Sequence, residues 1–271
     1  MSSIILVSID GLRPDALLQA NCPHLLHFRS VSAYTMCATS VMPSITLPCH
    51  TSIFHSVPPS RHGIMSNDWQ PMTRPLPGLV EVAHQHHKHC AFFYNWEQLR
   101  DLSRPGHLEY TYFVNSGENN GRPDYTTDDL IAAEAGCYIT TQSPDFAFVY
   151  LGTLDIAGHI HGWMSDGYLA QLERIDETFG DLLEAVPEDS SILVQSDHGG
   201  HERGHGTDLP EDMTIPWMIA GPHIRANHQI QAPVTLLDTA PTLAHLLEIP
   251  APPQWEGHCV HEIFNEKEVY A

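Results

Sequence analysis

The sequence predicts an α/β fold, a three-layer sandwich in which helices cover both faces of a mostly parallel central sheet. Two observations lead to it. Short apolar runs bounded by turns recur along the chain, and amphipathic helical segments lie between them. This alternation is typical of doubly wound folds, whose crossovers place helices on both faces. With 271 residues the chain can bury a substantial core, and we expect a single domain over 1–271.

Five runs rich in Ile, Val, Phe and Leu have the length and composition of strands that are buried on both faces. They are Ile4–Ile9, 91–94, Phe146–Leu151, 192–195 and 216–220. Helices are predicted over 127–141, 167–186 and 235–247. The helix over 167–186 is the clearest, because its apolar residues recur at helical spacing opposite an acidic face.

The stretch 97–125 is rich in Arg, Gly, Asn and Pro. It is the best candidate for an irregular insertion in the domain. Long connections of this kind often carry or cover functional sites. We therefore expect it to lie over the active site.

The composition narrows the class of partner. A formal net charge of −21 disfavours nucleic-acid polymers and anionic membrane surfaces, because both would be repelled. The six cysteines are dispersed without a CxxC pair, which favours free thiols over a disulfide framework. The chain has no basic leader and no apolar run of about 18 residues, the length that spans a membrane. We therefore expect a cytoplasmic protein.

Acidic residues follow three of the predicted strands. Asp10 comes directly after the first strand, Asp155 follows the strand that ends at Leu151, and Asp197 follows the strand over 192–195. Ligands of doubly wound folds bind at the carboxyl ends of the strands. The three carboxylates are therefore predicted to lie on one edge of the sheet.

Histidines accompany these carboxylates at metal-ligand spacing. Asp155 and His159 in DIAGH can ligate one metal ion, and His205 can complete that site, with His201 as the alternative. Mixed His/Asp sites with an open position are typical of catalytic zinc. By contrast, the run from His84 to His89 has no carboxylate partner in register, and we interpret it as a solvated surface.

A second metal site can form from Asp10, Asp197 and His198, with the oxygen of Thr46 as a fourth ligand. Two metal ions about 4 Å apart clamp the attacking and leaving oxygens of a phosphoryl displacement. The predicted cofactor is two Zn²⁺ ions, with Mn²⁺ or Fe as alternatives. The predicted substrate is a small phosphate ester.

Thr46 lies in SITLPCHTSIF, where Pro48 suits the first turn of a helix. A hydroxyl there gains from the helix dipole and from metal coordination, and both favour a nucleophilic alkoxide. Asn67 and the backbone N–H of Leu47 could donate hydrogen bonds to a phosphate oxygen. Tyr150 is a candidate for the substrate pocket.

Two further aromatic residues, Trp69 and Trp163, flank the motifs and share the pocket interpretation with Tyr150, although core packing explains each of the three equally well. Other residues also have simpler interpretations when taken singly. Asp10 can cap a turn, Thr46 can be an N-cap, and Asn67 can occupy a left-handed turn position. Their combination in one chain favours the catalytic interpretation.

The segments DGLRPD, Thr-x-Pro-x-His, HGIMSN, DxxGHxxG and DHG together resemble the alkaline phosphatase superfamily. They are most similar to its type I phosphodiesterase/nucleotide pyrophosphatase branch. The resemblance implies an alkaline phosphatase-like catalytic domain, and a covalent phospho-threonine on Thr46 that water then hydrolyses. It implies Asn67 as a phosphate ligand. The two implied zinc sites are Asp155, His159 and His205, and Asp10, Thr46, Asp197 and His198.

The chain departs from this branch in two places. Nucleotide-hydrolysing members often have an aromatic residue after the nucleophile, where this chain has Leu47, and His205 follows His198 without the long insertion of well-known members. Sulfatases, a sister family, need Cys-x-Pro-x-Arg, and this chain has Thr46 and His50 at those positions. A sulfatase is therefore disfavoured.

Phosphodiesters are the preferred substrate class. Dianionic monoesters usually need an additional arginine or a third metal, and only Arg13 and Arg203 lie near the motifs. A phosphomonoesterase or a phosphonate hydrolase with the same chemistry is the alternative. A non-catalytic metal-binding protein, suggested by the 20 histidines, is the alternative from a different class.

Overall fold

Eight strands form the central sheet of the computed structural model, which describes residues 2–68, 70–72, 75–116, 118–119 and 122–265. A separate ribbon of two short strands accompanies it. In chain order the strands are β1 (Ile4–Ile9), β2 (Ala33–Thr39), β3 (Cys90–Tyr94), β4 (Tyr110–Phe113), β5 (Glu118–Asn119), β6 (Arg122–Pro123), β7 (Phe146–Leu151), β8 (Ser191–Gln195), β9 (Thr214–Ala220) and β10 (His228–Gln229).

The strand order in the central sheet is β10-β2-β9-β8-β1-β7-β3-β4. Strand β1 lies in the middle and pairs in parallel with β7 and β8, and the parallel pairing continues through β3 to β4. Strand β9 is antiparallel to both of its neighbours, β8 and β2. The predicted, mostly parallel sheet is confirmed.

Helices lie on both faces of this sheet. They are α1 (Pro14–Gln19), α2 (Pro23–Val31), α3 (Thr46–His55), α4 (Pro59–His62), α5 (Leu79–Gln85), α6 (Thr127–Gln142), α7 (Thr153–His161), α8 (Asp166–Ala185), α9 (Pro210–Met213) and α10 (Thr239–Leu246). Short 3₁₀ helices occur at Glu97–Leu102, Leu236–Asp238 and His261–Ile263.

The two faces of β1 belong to two separate apolar clusters, because successive side chains of a strand point to opposite faces. Leu6 packs in the cluster that includes Phe54 of α3, whereas Val7 packs in the cluster that includes Phe179 of α8. Every residue of β1 is buried. The predicted three-layer sandwich is therefore confirmed, and it buries the strands that lead to the acidic residues.

Most predicted elements agree with the structure within two residues. Strands β1 and β7 have the predicted bounds, and the predicted helix 167–186 is α8. The predicted helix 235–247 begins as a 3₁₀ turn before α10. Strand β2 was not predicted, since AYTMCAT lacks an aliphatic run and is a strand through its pairing with β9.

The stretch 97–125 is not irregular throughout. It contains a 3₁₀ helix, the edge strand β4 and the ribbon β5–β6, while residues 117, 120 and 121 lie outside the described part. Strand β4 pairs in parallel with β3, so this part of the predicted insertion belongs to the central sheet. Among the described residues, no helix is long and apolar enough to cross a membrane.

Candidate functional site

Three carboxylates meet at the carboxyl-terminal edge of the sheet, as predicted. Asp10 follows β1 directly, Asp197 follows β8 by two residues, and Asp155 lies in the first turn of α7, which follows β7. Strands β8, β1 and β7 are neighbours. Because parallel strands end at the same edge, residues far apart in sequence converge here.

Asp10, Asp197 and His198 form what we call the inner group. Nε2 of His198 lies 3.3 Å from Oδ1 of Asp10 and 3.4 Å from Oδ2 of Asp197. The three side chains are 2%, 0% and 0% exposed, in that order for Asp10, Asp197 and His198. The hydroxyl of Thr46 lies 3.3 Å from the same Nε2. The inner group and Thr46 thus share one buried point.

Asp155, His159 and His205 form the outer group. Oδ2 of Asp155 lies 3.4 Å from Nε2 of His159, and Oδ1 lies 3.6 Å from Nε2 of His205. The rings of His205 and His198 stack with centroids 3.8 Å apart, which joins the outer group to the inner one. Asp155, His198 and His205 also offer ligand atoms within 4.8 Å of one another, so His198 lies close to both predicted metal sites.

Each histidine of the two groups is oriented by its other ring nitrogen. Nδ1 faces a backbone carbonyl, which can only accept, so Nδ1 carries the proton. The acceptors are Gly199 for His198 at 2.8 Å, Arg203 for His159 at 3.0 Å and Ser44 for His205 at 2.8 Å. Nε2 of each ring thus faces the carboxylates, and a metal ion placed between them could bind both.

The buried carboxylates give a direct test of whether this site suits a metal ion. Among the described residues, Oδ1 of Asp10, Oδ1 of Asp155 and Oδ2 of Asp197 are buried without a hydrogen bond. Burial, together with the nearby charge of Asp155, raises the pKa of Asp10 to about 6. Burial and the charge of Asp10 raise the pKa of Asp197 well above its usual range. Divalent cations would relieve this cost, so the residues fit metal ions.

The outer group has a different electrostatic balance. Although burial opposes it, the hydrogen bond with His159 and the charges of the neighbouring histidines lower the pKa of Asp155. The same hydrogen bond raises the pKa of His159 to about 9. Burial and the nearby His198 lower the pKa of His205 to about 4. The outer group thus contains a compensated ion pair, whereas the inner carboxylates are uncompensated.

Thr46 is the first residue of α3, a helix whose ten residues are all buried. Nδ1 of His50 donates to the carbonyl of Thr46 at 2.9 Å, and Nε2 of His50 lies 3.0 Å from the hydroxyl of Ser8. Burial lowers the pKa of His50 to about 3. A neutral His50 therefore connects the helix start to strand β1.

The two predicted phosphate donors contact each other. The backbone N–H of Leu47 donates to Oδ1 of Asn67 at 3.0 Å, and its role as a phosphate donor stays a prediction. The contact fixes the amide of Asn67 at the start of α3. The orientation of Asn67 thus depends on the helix that carries Thr46.

The structure corrects the prediction for Tyr150. Its side chain is buried, 2% exposed, and its hydroxyl donates to Oδ2 of Asp10. This hydrogen bond holds the Asp10 carboxylate, and the Tyr150 side chain does not line an open pocket. Trp163 is also buried, with Nε1 donating to the carbonyl of Gly11 at 3.0 Å. Trp69 lies outside the described residues.

The short loop 198–207 brings His198 and His205 together. A Cβ on Gly199 would lie 2.0 Å from a carbonyl oxygen, and one on Gly200 would lie 2.2 Å from the Trp163 ring. The consecutive glycines are therefore required by close approach. They let the loop fold tightly enough to return His205 to the site.

Asp212, which sequence reasoning missed, holds this loop. Its carboxylate is 2.7 Å from Nδ1 of His201 and accepts from the backbone N–H of Thr207 at 2.9 Å. The structure thus favours His205 over His201 as a site residue. Asp212 lies in the short helix α9 and has no motif of its own, so nothing in the local sequence indicated its role.

Arg13 also belongs to this loop's support. Its guanidinium donates to the carboxylate of Asp15 and, at 2.9 Å, to the carbonyl of Gly200. The run from His84 to His89 is exposed apart from the half-buried Lys88, in agreement with its interpretation as a surface.

Known proteins resemble this chain in sequence. An uncharacterized pyrophosphatase/phosphodiesterase of Schizosaccharomyces pombe is 25% identical over 218 residues, which cover 73% of this chain and 44% of that protein. The mouse ectonucleotide pyrophosphatase/phosphodiesterase family member 1 is 26% identical over 220 residues, which cover 72% of this chain and 24% of that protein. The chain thus spans less than half the length of these relatives.

Structural similarity extends further along the chain. An inactive variant of murine ectonucleotide pyrophosphatase/phosphodiesterase 5, solved in complex with AMP, superposes with a TM-score of 0.82. The match covers 98% of this chain and 100% of that one at 16% identity, and it shows a shared fold.

The family described as type I phosphodiesterase/nucleotide pyrophosphatase matches residues 4–206. This range begins at β1 and ends one residue after His205, so it contains both groups and Thr46. With about three quarters of its residues in the match, the chain belongs to the type I phosphodiesterase/nucleotide pyrophosphatase family.

Proposed function

We propose that this protein hydrolyses small phosphodiesters with two metal ions, Zn²⁺ by preference, and with Thr46 as a covalent nucleophile. One observation carries the proposal. Three buried carboxylate oxygens without hydrogen-bond partners among the described residues lie around the imidazole that contacts the Thr46 hydroxyl. Family membership supports the phosphodiesterase class.

In this proposal the inner group and Thr46 hold one metal ion and the outer group holds the other. When bound, the two ions supply positive charge that neutralises the carboxylates and stabilises the charge on the transferring phosphoryl group. His198 faces both groups, so its Nε2 contributes to the inner ion while its ring stacks against His205.

Thr46 attacks phosphorus from the amino-terminal end of α3. The Oγ1–P bond forms as the bond between phosphorus and the departing alcohol oxygen breaks, and the departing alkoxide takes up a proton in place of the one that the Thr46 hydroxyl gives up. Water then attacks the phosphoryl-threonine and releases a phosphate monoester and the free hydroxyl. Nε2 of His198, 3.3 Å from Oγ1, would share the inner metal ion with the nucleophile and so fix its position.

Asn67 orients the substrate in this scheme. With its Oδ1 bound to the Leu47 N–H, the side-chain amide presents its Nδ2 donors to a non-bridging phosphate oxygen. The organic group of the ester would enter a cavity of about 160 Å³ beside Leu47, lined also by Thr51, Ile64 and Arg104. A cavity of about 830 Å³ lies by Lys88 and Asp145, at the opposite edge of the sheet, and includes none of these groups.

The engagement of Arg13 supports the preference for phosphodiesters over monoesters. Arg13, which the sequence offers as a partner for a dianionic phosphate, is engaged by Asp15 and the carbonyl of Gly200. A monoester would thus not gain the Arg13 guanidinium as an added cation. A phosphomonoesterase or phosphonate hydrolase with the same nucleophile remains the alternative, and the substrate comparison below separates them.

The test compares hydrolysis of bis(4-nitrophenyl) phosphate and 4-nitrophenyl phosphate by the zinc-loaded protein. We expect the diester to be the better substrate, with turnover lost in Thr46→Ala and partly kept in Thr46→Ser, which retains the hydroxyl. Preference for the monoester would move the assignment to a phosphomonoesterase. Preference for a nitrophenyl phosphonate would indicate a phosphonate hydrolase.

The same variants test the non-catalytic alternative. A metal-binding protein without activity would show no turnover of any ester, and Thr46→Ala would change nothing that can be measured. An enzyme should lose turnover in Thr46→Ala while it keeps most of its zinc affinity, because the carboxylates and histidines remain.

A further inference from the structure

A buried carboxylate outside both groups organises the helix that carries the outer group. Asp128 lies in the first turn of α6 and is 1% exposed. Its Oδ1 accepts from Nδ2 of Asn95 at 2.6 Å and from the backbone N–H of Gly152 at 3.1 Å. Its Oδ2 accepts from the backbone N–H of Thr153 at 3.3 Å and from the Thr153 hydroxyl. Four donors therefore converge on one carboxylate.

These donors belong to the start of α7. Gly152 precedes the helix and Thr153 is its first residue, so their N–H groups are among those that a helix leaves unsatisfied. Gly152 cannot supply a capping side chain. A Cβ at this position would lie 2.6 Å from the Tyr150 ring and 2.8 Å from Oδ1 of Asn95. The cap must come from elsewhere in the chain, and Asp128 provides it.

The cap is held in turn by a neighbouring helix. Nε2 of Gln171 on α8 donates to the Thr153 hydroxyl at 2.7 Å, which fixes that hydroxyl as a donor to Asp128. Asn95 also donates to the hydroxyl of Thr127 at 3.1 Å. The end of β3, the start of α6 and the body of α8 are thereby joined at the start of α7.

The start of α7, which Asp128 caps, is close in sequence to two residues of the outer group. Asp155 lies two residues after Thr153, and His159 lies one helical turn after Asp155. Asp128 itself contacts neither residue, so it can act only through the position of α7. A shift of this helix start would move both Asp155 and His159 relative to His205, which is held by a different element.

We propose that Asp128 is a positioning residue, which fixes the start of α7 so that Asp155 and His159 meet His205 in metal-binding geometry. The inference rests on the proposed function, because it concerns the outer metal site. Partners behind metal ligands typically change metal affinity by about 10- to 100-fold when they are removed.

The experiment measures zinc affinity by competition with a chromogenic chelator, for the full chain and for Asp128→Asn. The matched control is Asp129→Asn, since Asp129 is the next residue on α6 and bonds to Thr178 and Arg174 on α8. We expect Asp128→Asn to weaken one of two zinc sites by about 10- to 100-fold and Asp129→Asn to leave both within about twofold.

A second variant keeps the inference testable if Asp128→Asn does not fold. Thr153→Val keeps the shape of the side chain and both backbone donors but removes the hydroxyl that links Asp128 to Gln171. We expect a smaller weakening at the same zinc site. Wild-type zinc affinity at both sites in folded Asp128→Asn or in Thr153→Val would overturn the inference.

The outcomes separate this inference from the proposed function. If the wild-type chain binds fewer than two zinc ions or Thr46→Ala keeps its turnover, the proposed function fails. If the wild-type chain binds two zinc ions and hydrolyses the diester while Asp128→Asn binds zinc normally, only the positioning role fails. An equal loss of zinc affinity in Asp129→Asn would also overturn it, since the effect would then be general to α6.

Discussion

The inner and outer groups face the same space but are built differently. Asp10 and Asp197 follow two adjacent strands and are almost completely buried, whereas Asp155 is 16% and His159 45% exposed and both stand on a helix. Among the described residues each of the three carboxylates has one buried oxygen without a hydrogen bond. Burial raises the pKa of Asp10 and of Asp197, whereas pairing with His159 lowers the pKa of Asp155 against the effect of burial. The strand ends thus form a rigid, buried site that needs a cation. The helix α7 forms a more accessible site, whose geometry depends on the contacts that hold the helix start.

The difference has a functional counterpart in the proposed mechanism. Thr46 contacts the inner group, so the nucleophile belongs to the rigid half of the site. The exposed outer group is the side from which substrate and water can approach. Substitutions in the two groups should therefore differ in whether added metal restores activity.

The largest effect is expected for Asp197→Asn. The amide removes a charge from the buried group, and the strand-anchored neighbours cannot move to replace it. We expect diester turnover to fall at least about a thousandfold, about 4 kcal/mol of transition-state stabilisation, with one zinc ion lost per chain. Activity and metal content measured over a range of zinc concentrations would check this, and recovery at high zinc would count against a rigid inner site.

A smaller and reversible effect is expected for His159→Ala. This half-exposed residue can be replaced by solvent as a ligand. Zinc affinity should therefore fall by more than the roughly 10-fold lower limit for a residue that only supports a ligand, while excess zinc restores most of the turnover. The measurement is activity against free zinc, with His161→Ala on the same helix as the control. If excess zinc fails to restore the turnover of His159→Ala, the two groups are equally rigid and the comparison is wrong.

The stability of the metal-free protein should depend on pH differently for the inner and the outer group. Because the folded pKa of Asp10 is raised from 3.8 to about 6, its contribution to stability is present below pH 3.8 and is lost as the pH rises through 6. The loss is about 3 kcal/mol, and Asp10→Asn should remove it.

His159 of the outer group should titrate at higher pH. The pKa of His159 is raised from 6.5 to about 9, so its contribution is present below pH 6.5 and is lost as the pH rises through 9. Urea unfolding of chelator-treated protein across about pH 3–10, with Asp10→Asn and His159→Gln, would resolve the two windows. A flat profile in the wild-type chain would contradict both assignments.

Residues close to a strand end could be predicted from the sequence. Asp10 and Asp197 follow apolar runs by one or two positions, and the rule that parallel strands end at one edge brings them together. Asp155 and His159 were predictable for a similar reason, since one helical turn separates them. Local sequence decides the position of each of these residues, and a single topological rule assembles them.

Residues that act across the chain could not be predicted. Asp128 reaches Gly152 over 24 positions, and its Thr-Thr-Asp-Asp context indicated only the start of a helix. Tyr150 was predicted near the substrate because it flanks a motif, but in its position on β7 its hydroxyl donates to Asp10. Strand β4 was hidden in a stretch with an irregular composition, because its pairing with β3 makes it a strand. In each case a partner distant in sequence decides the role.

The measurement that tests the central claim most directly is a rapid acid quench of zinc-loaded protein during turnover of bis(4-nitrophenyl) phosphate, followed by mass analysis of the peptide that contains Thr46. The account predicts a 4-nitrophenyl phosphoryl group on Thr46 that forms with the first release of nitrophenolate, disappears when substrate is exhausted and is absent in Thr46→Ala. Turnover without any adduct on this peptide, continuing at an undiminished rate in Thr46→Ala, would contradict it.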